Sequence, residues 1–287
     1  MHGFVNVLHR ALKSGKKVMV WGSAYDSLDE FKSIDGLMNR KYVYIYPDLT
    51  EEKLYELSKK ASFFGVRGPI TYKILERSNI DMSKVILSGD PGFLLKGKGK
   101  ENPFGFKKKN KFVGINVGTS MNRIYGGDEE RIFNELSKIA NELIDSGYSI
   151  YLYSMWPKDT ESILKFYKSL DKPHKVICDL ENRKGEDLVD IIRECTFTIN
   201  FKLHSNIISA VAGVPFVCLG YRLKCYDFAK SIECENLVVS TGSTKFYREV
   251  KRVIANIERN NEVISGKIIR KISSYKKILD KSLDNLI

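Results

Sequence analysis

The sequence predicts an α/β protein with two Rossmann-like domains that face a cleft, and three observations lead to this prediction. Short apolar runs alternate with helical patterns along most of the 287 residues, as in parallel sheets covered by helices on both faces. A lysine- and glycine-rich stretch at 96–111 interrupts this alternation. The chain is also long enough for two domains that each bury a core.

The first part of the chain contains four runs that predict strands, each short, apolar and rich in β-branched or aromatic residues. They are KKVMVWGS (16–23), YVYIY (42–46), SFFGV (62–66) and KVILSGD (84–90). Two helices are predicted between these strands. One begins after the capping residue Thr50, and the other begins near Pro69, because a first helical turn does not need the N–H that proline lacks.

Residues 96–111 predict a linker between the two domains. They include seven lysines, three glycines and one proline, a composition that cannot form a core. We therefore predict an N-terminal domain over 1–105 and a C-terminal domain over 111–287. Because such a linker would pack little, we expect the domains to close on a ligand. The alternative interpretation is a solvated surface loop.

The alternation resumes after the linker. Strands are predicted at 112–118, 149–154, 175–179, 196–200, 215–220 and 236–240. Helices are predicted at 128–146, 159–170, 185–194, 204–212, 222–232 and 243–260. A lysine-rich amphipathic helix at about 263–285 ends the chain and is expected to pack back on the N-terminal domain. In open parallel sheets, ligands bind at the carboxyl ends of strands, so the loops there are expected to carry the chemistry.

The composition excludes collagen-like, disulfide-scaffold and wholly disordered classes of protein, with 43% hydrophobic and 29% charged residues. The net charge of +12 favours anionic partners, namely phosphorylated metabolites, nucleic acid or an anionic membrane face. Five cysteines without a CxxC pattern indicate reduced thiols. Because the N-terminus lacks a signal peptide's apolar core and no run is long enough to span a bilayer, we expect a cytoplasmic protein.

Three common site signatures are missing from the sequence. There is neither a GxGxxG nor a GxxxxGK[ST] motif for phosphate binding. No DxD pair is present to hold the metal ion of a nucleotide. The four histidines, at 2, 9, 174 and 204, have no metal-ligand spacing. We therefore expect no metal site.

Three residues in strand-end loops are the best candidates for chemistry. His204 follows the strand TFTIN at a helix start, where an imidazole can exchange protons near neutral pH and the helix N-terminus and Lys202 favour an anion. Arg67, in GVRGPIT, can clamp a carboxylate or phosphate with two hydrogen bonds. Asp90 lies in the turn SGDPGF and is expected to face the cleft. The alternatives are a structural histidine, a surface arginine paired with a nearby acid and an ordinary turn.

Five segments in this order resemble the polysaccharide pyruvyl transferase family. They are GVRGPIT, SGDPGFLL, FVGINVGTS, YSMWPKD and FKLHSNIISAVAGVPFVCLGY, which together run from about residue 62 to residue 232. The family often shows an R-x-x-x-S/T segment, a GDP turn, a G-I-N strand and R-L-H before a small-residue helix that ends in GVP. This chain has Lys202 where the family usually has arginine, which keeps the charge but loses the two-pronged guanidinium.

The resemblance implies a glycosyltransferase-B type fold and transfer of pyruvate from phosphoenolpyruvate to two hydroxyls of a sugar, which forms a cyclic ketal. Such a scheme needs no metal and no cofactor besides phosphoenolpyruvate as the donor. His204 and Asp90 are then expected to be catalytic, with His204 as the general acid or base. Substrate binding is expected from the side chains of Arg67, Lys202, Arg123 and Asn116 and from the backbone N–H groups of Ser205 and Asn206.

Two other functions stay open at this point. One is a nucleotide-sugar-dependent glycosyltransferase of the same architecture, and the other is a noncatalytic module that binds anionic glycan or nucleic acid. Nucleic acid is not an expected partner, because the basic residues are dispersed and no recognition motif accompanies them. The expected acceptor is a glycan or a lipid-linked oligosaccharide. If it is lipid-linked, we expect the basic run 107–109 and the terminal helix to contact anionic lipid at the inner membrane face. The oligomeric state is left open.

Overall fold

The computed structural model describes residues 2–26, 48–78 and 80–284. The strand predicted at 42–46 lies outside these residues. Within them, two parallel sheets are packed between helices, which confirms the predicted α/β fold. No helix in these three ranges is long and apolar enough to cross a membrane.

In the described residues, the first sheet contains strands β1 (Met19–Ser23), β2 (Phe63–Val66) and β3 (Val85–Leu87), all parallel and in this order. The helices described beside it are α1 (His2–Lys13), α2 (Asp48–Lys60) and α3 (Pro69–Glu76). Helix α1 was not predicted from the sequence. Apolar side chains from the strands and all three helices form one core, which includes Val5, Val20, Leu57, Val66 and Ile70.

The second sheet has six parallel strands in the order β6-β5-β4-β7-β8-β9. The strands are β4 (Phe112–Asn116), β5 (Ser149–Tyr153), β6 (Val176–Asp179), β7 (Phe197–Asn200), β8 (Phe216–Gly220) and β9 (Val238–Ser240). The chain starts in the centre at β4, builds one half of the sheet outward, then returns to β7 beside β4 and builds the other half. This order leaves a crevice where β4 and β7 end side by side, which is the usual ligand site of such sheets.

Helices cover both faces of the second sheet. They are α4 (Glu129–Asp145), α5 (Thr160–Lys168), α6 (Gly185–Arg193), α7 (Leu203–Val211), α8 (Leu223–Ser231) and α9 (Phe246–Asp284). Along β5, Ile150 and Leu152 belong to the core on one face, whereas Tyr151 and Tyr153 belong to the core on the other. Because successive side chains of a strand point to opposite faces, this alternation places a core on each side of the sheet.

Helix α9 replaces the two helices predicted at 243–260 and 263–285. It runs continuously except for a kink at Asn260, whose φ of −126° and ψ of 23° are not helical. Near its end, Ser282 accepts a hydrogen bond from the indole N–H of Trp21 in β1 at 3.0 Å. The terminal helix of the second sheet therefore contacts the first sheet.

The segment 96–111 packs against the second sheet, so the expectation that it would pack little is wrong. The Phe106 ring is buried and stacks on Phe112 at 4.1 Å, and Phe104 lies 5.5 Å from Tyr151. The Lys98 ammonium binds Asp187 at 2.7 Å. The two phenylalanines pack against the sheet, whereas the lysines lie at the surface. The composition of the segment does not show which of its residues are buried. The domain limits 1–105 and 111–287 stay a prediction.

Candidate active site

Asn116, at the end of β4, holds the crevice between β4 and β7 together. Its buried side chain donates to the Tyr153 carbonyl at 3.0 Å and accepts from the Lys202 amide at 3.0 Å and the Ser205 hydroxyl at 3.2 Å. These partners come from β5 and from the start of α7. Both its amide nitrogen and its oxygen therefore have partners within the protein, and these bonds position the crevice. The predicted contact of Asn116 with a substrate stays a prediction.

The Lys202 ammonium is also committed to the protein. It donates to the Thr119 carbonyl and lies 3.2 Å from Oδ1 of Asp159, a carboxylate with no exposed surface. Burial raises the pKa of Asp159, and the Lys202 charge opposes that shift. The Lys202 charge, which was predicted to bind a substrate, is thus largely neutralised by the buried Asp159 carboxylate.

Helix α7 begins at Leu203, and the hydrogen bonds of its first turn determine which backbone N–H groups are available there. Ser205 points inward and donates to the Lys202 carbonyl, and the Asn206 side-chain amide donates to the same carbonyl at 3.0 Å. In an α-helix the fourth residue is the first whose N–H reaches back to the cap carbonyl. The N–H groups left free by the helix are therefore those of Leu203, His204 and Ser205, and the Asn206 N–H is excluded.

The His204 side chain is accessible to solvent and has no hydrogen-bond partner among the residues that the structure describes. Enough protein surrounds the ring to remove part of its hydration, and this lowers the pKa of His204 below its ordinary value. The Asp90 carboxylate opposes the shift, while the cations Arg67 and Lys224 add to it. The structure thus brings Arg67, Asp90 and His204 together, and their surroundings favour the neutral form of the imidazole.

Arg67 and Asp90 form an ion pair that orients the arginine. Nε of Arg67 lies 2.6 Å from Oδ2 of Asp90, and both side chains are largely buried. The other oxygen of Asp90 accepts the Gly92 amide at 2.8 Å. Because Nε carries this bond, the two terminal nitrogens of Arg67 are left to bind an anion. In the structure Asp90 orients Arg67, and its predicted catalytic role stays a prediction.

Asp227, on α8, joins the two sheets beside Arg67. Its buried carboxylate accepts the Ile70 amide at 2.8 Å, the Thr71 amide at 3.2 Å and the Thr71 hydroxyl at 2.5 Å. These donors belong to the first turn of α3, whose free N–H groups favour a negative charge. Burial raises the pKa of Asp227, and the three donors oppose that rise. This contact fixes the helix that follows Arg67 against the second sheet.

Three charged side chains near His204 were missed in the sequence analysis. Arg222 binds Asp26 at 2.9 Å, and the Lys224 ammonium lies 3.7 Å from the same carboxylate oxygen. Lys224 also lies 5.0 Å from the centre of the Tyr221 ring. The segment YRLKC follows β8 directly, so it lies at a strand end like the loops that carry Arg67, Asp90 and His204. The rule that ligands gather at strand ends would have found it.

Arg123 lies in the loop after β4, and its exposed side chain has no hydrogen-bond or ion-pair partner among the described residues. Met121 and Asn122, just before it, both have a φ of 56°, a left-handed conformation that such residues rarely adopt. The loop is fastened by Glu129, which accepts from the Ser120 amide at 2.6 Å and the Thr119 hydroxyl at 2.9 Å. Arg123 therefore shares the carboxyl edge of the sheet with His204. Its predicted role in binding substrate stays a prediction.

The family model named polysaccharide pyruvyl transferase matches residues 3–222, most of the chain. The chain belongs to this family. The matched region carries both Arg67 and His204 and ends at Arg222, so Lys224 lies just beyond it. Among curated protein sequences, no relative matches.

Solved structures show that this pyruvyl transferase family member has the glycosyltransferase-B fold. Anabaena Alr3699/HepE in complex with UDP-glucose has a TM-score of 0.58 at 11% identity, covering 100% of this chain and 76% of that one. S. aureus MnaA with UDP has a TM-score of 0.57 at 13% identity, covering 90% and 63%. UDP-GlcNAc 2-epimerase from Methanocaldococcus jannaschii has a TM-score of 0.52 at 14% identity, covering 85% and 64%. The chain thus spans less than two thirds of the last two proteins.

Proposed function

We propose that the protein transfers a pyruvyl group from phosphoenolpyruvate to two hydroxyls of a sugar in a polysaccharide or its precursor, forming a cyclic ketal. The observation that supports this most directly is the grouping of Arg67, His204 and Lys224, in which burial and two cations lower the pKa of a histidine that has no hydrogen-bond partner among the described residues. Phosphoenolpyruvate is a small molecule with two anionic groups and a carbon that must be protonated. The two cations would bind the anionic groups, and the histidine would supply the proton.

The donor would bind through its carboxylate and phosphate. Arg67 is suited to one of these groups, because Asp90 fixes its guanidinium at Nε and leaves the terminal nitrogens free. The free N–H groups at the start of α7 would add contacts to an anion. The scheme uses no metal and no cofactor besides the donor.

His204 would supply the proton. When the anionic donor arrives, its charge offsets the cations that lower the pKa of His204, so the imidazole gains a proton as the complex forms. The imidazolium then protonates C3 of phosphoenolpyruvate, and the electron pair of the C2–C3 double bond forms the new C–H bond. The first sugar hydroxyl adds to C2 and returns its proton to His204. The oxygen of the second hydroxyl then forms its bond to C2 as the C2–O bond to phosphate breaks, and its proton leaves with the phosphate, which closes the ketal and releases inorganic phosphate as hydrogen phosphate.

Mass spectrometry tests this reaction directly. Candidate glycans are incubated with the protein and phosphoenolpyruvate in deuterium oxide. We expect a product heavier by pyruvate less water, with one deuterium in the new methyl group because C3 takes its proton from solvent through His204. Release of one inorganic phosphate for each ketal is the matching second readout. No mass change with any glycan, together with no binding of phosphoenolpyruvate, would contradict the proposal.

A nucleotide-sugar glycosyltransferase is the second candidate, because HepE and MnaA are described with UDP-glucose and UDP bound. Thermal shift measurements separate the two donors. We expect stabilisation by phosphoenolpyruvate and none by UDP-glucose or other common nucleotide sugars. The reverse pattern would favour the glycosyltransferase.

We also propose that the protein works at the cytoplasmic face of a membrane when its acceptor is lipid-linked. Lys107, Lys108 and Lys109 are all exposed, and α9 carries many further lysines. Polybasic segments bind anionic lipid by roughly 1 kcal/mol per residue. Flotation with anionic liposomes at physiological salt checks this, with neutral liposomes as the control. Failure to float would contradict the membrane proposal without affecting the proposed reaction.

A further inference from the structure

We propose that Trp156 binds a sugar unit of the acceptor glycan, beyond the unit that receives the pyruvyl group, by stacking against the face of its pyranose ring. This inference rests on the proposed function, because it takes a glycan as the acceptor. It goes beyond that function by assigning a second sugar subsite at the end of β5. The protein should therefore prefer an oligosaccharide or polysaccharide acceptor to a single sugar.

The first step is the exposure of the Trp156 ring. Trp156 is 42% exposed, whereas Trp21 is partly buried and donates its indole N–H to Ser282. The indole N–H of Trp156 has no hydrogen-bond partner among the described residues. Tryptophan combines a large apolar surface with one polar group, and both are usually satisfied when the ring is in contact with a partner. A sugar offers both complements, because its ring carries C–H groups and hydroxyls.

The second step is the rigidity of the turn that presents the ring. The Trp156 amide donates to the Ser154 hydroxyl at 3.3 Å, and the Trp156 carbonyl accepts from the same hydroxyl at 3.0 Å and from the Asp159 amide at 2.8 Å. Ser154 and Asp159 are both buried. The backbone of Trp156 is therefore fixed at the end of β5. An aromatic side chain on a fixed backbone loses little conformational entropy when it binds a ligand.

The third step is the position of the ring relative to His204. The centre of the Trp156 ring lies 5.3 Å from the Lys202 ammonium, and Lys202 precedes His204 by two residues. Strands β5 and β7 are the two neighbours of β4, so their ends are two strand spacings apart, roughly 10 Å. The same edge of the sheet thus presents His204 and Trp156 at a separation that suits two linked sugar units.

The fourth step is the charge around the ring. The ammonium groups of Lys158 and Lys202 lie 5.0 Å and 5.3 Å from the ring centre, as expected for cations at the negative face of an indole. The C–H groups of a pyranose carry a slight positive charge, so the same face attracts them. Lys202 is held by Asp159. Lys158 is exposed and has no ion-pair partner in the described part of the chain, so a sugar can displace it from the ring.

The fifth step is a second exposed apolar side chain on the neighbouring loop. Met121, in the loop after β4, is 63% exposed, and its amide donates to the Thr119 hydroxyl at 2.9 Å. The Thr119 carbonyl accepts from the Lys202 ammonium. The loops that bear Met121 and Trp156 therefore meet at Lys202. One exposed apolar residue is ordinary, but two on adjacent loops beside a polar crevice are typical of a ligand-binding surface.

Steady-state kinetics test the inference with phosphoenolpyruvate and the acceptor found by mass spectrometry. The acceptor is supplied as an oligosaccharide and as the methyl glycoside of the unit that takes the ketal. We expect Trp156→Ala to raise the KM for the oligosaccharide about 10-fold or more relative to the KM for the methyl glycoside, as for a tryptophan that contributes strongly to binding. The matched control is Leu180→Ala, because Leu180 follows β6 at the same edge and is 38% exposed. It should leave that ratio unchanged, and Trp156→Phe should keep most of the preference.

Fluorescence gives a readout that does not depend on turnover. The chain has two tryptophans, so Trp21→Phe leaves Trp156 as the sole indole. We expect the oligosaccharide to shift its emission to shorter wavelength, because stacking removes water from the ring, and the methyl glycoside to leave the emission unchanged. Equal wild-type KM values for the two acceptors, an unchanged ratio in Trp156→Ala, or no emission shift would overturn the inference while the proposed function stands.

A failure of the proposed function is recognised separately. If no glycan gains the mass of a ketal, labelled protein is tested on an array of oligosaccharides. Binding that Leu180→Ala retains and Trp156→Ala loses would support the sugar subsite without the reaction. No binding by the wild type, or binding that Trp156→Ala retains, would overturn the inference. Thermal melts show whether each variant is folded, and Trp156→Gln replaces Trp156→Ala if the latter does not fold.

Discussion

At the scale of single residues, His204 shows how the surroundings set the chemistry of a side chain. An isolated imidazole titrates near pH 6.5, but here desolvation and the charges of Arg67 and Lys224 lower the pKa of His204. The neutral ring of the free protein is the form that can accept a proton. A histidine with fewer cations around it would already be protonated at mildly acidic pH. Binding of an anion would then not change its protonation state.

We expect His204→Gln to lower kcat by about two to four orders of magnitude, the usual contribution of acid–base catalysis, with a smaller effect on donor affinity. Donor binding should also take up protons near pH 7 in the wild type, because the anion raises the pKa of His204. Calorimetry in buffers of different ionisation enthalpy measures this uptake, which should vanish in His204→Gln. A near wild-type kcat in His204→Gln would show that the histidine has a structural role and does not transfer protons.

The sign of the pH effect on stability follows from the same shift. Because the folded pKa of His204 is lowered, the unfolded chain binds the proton first as the pH falls below about 6.5. The free energy of unfolding should therefore fall with decreasing pH in that window, more steeply in the wild type than in His204→Gln. Urea unfolding at a series of pH values checks this.

The ion pair of Lys202 and Asp159 leads to a third prediction at the residue scale. Lys202→Met should lower the free energy of unfolding by about 3 kcal/mol, because it leaves a buried carboxylate without its cation. Adding Asp159→Asn should restore part of that loss, since the amide carries no charge. The control is Lys172→Met, which removes an exposed pair with Asp145 and should change the stability by less than about 1 kcal/mol. Equal effects of both lysine substitutions would contradict the structural role of Lys202.

At the scale of elements, the contact between α3 and α8 decides where Arg67 lies. Gly68 comes between Arg67 and the first turn of α3, and a Cβ atom there would fall on the Asp227 carboxylate and its backbone carbonyl. The absence of a side chain is thus what allows α3 to approach α8 so closely. The sequence showed a glycine before a proline, but not the buried acid that it faces.

Gly68→Ala should lower the free energy of unfolding by about 1–3 kcal/mol through overpacking and should weaken phosphoenolpyruvate binding, because α3 and Arg67 are displaced. The control is Gly266→Ala in α9, where a Cβ atom meets only the end of a flexible Arg270 side chain. That change should raise the stability by about 0.5–1 kcal/mol, as expected for alanine in a helix. Denaturant unfolding and calorimetry measure the two effects. Unchanged donor binding in a folded Gly68→Ala protein would show that the contact does not position Arg67.

At the scale of the whole molecule, the two sheets are connected by more than a linker. The Asp227 hydrogen bonds, the bond from Trp21 to Ser282 and the contact of Phe93 with Tyr275 at 5.6 Å join them in different places. Opening the cleft widely would break the hydrogen bonds of a fully buried carboxylate. A large closure of the two domains was expected because residues 96–111 would pack little. The contacts between the sheets remove that reason.

We expect small-angle scattering profiles with and without saturating phosphoenolpyruvate to differ little, because the inter-sheet contacts already exist. Asp227→Ala is the informative variant, since it removes the acceptor of three donors. It should give a larger radius of gyration in the free protein and compaction when the donor is added. A marked compaction of the wild type would show that the contacts described here form only part of the closed state.

The sequence by itself determined the alternation of strands and helices, the two parallel sheets and the strand ends that carry Arg67, Asp90 and His204. These features follow from local periodicity and from the general rule that parallel sheets place their strand ends together. The sequence also indicated the family through its ordered motifs. It did not indicate that Phe104 and Phe106 fasten a lysine-rich segment, or that the two last helices are joined, because both depend on distant partners.

Only the tertiary structure decided which cations are free. Lys202 and Lys224 look alike in the sequence, and each follows a strand end by a few residues. Asp159 lies 3.2 Å from the Lys202 ammonium, because the loop after β5 lies beside β4 and β7 and not beside β8. The Asp26 oxygen that faces Lys224 is 3.7 Å away and is shared with Arg222. The availability of a charge depends on which acid the fold brings next to it, and that acid is distant in the chain.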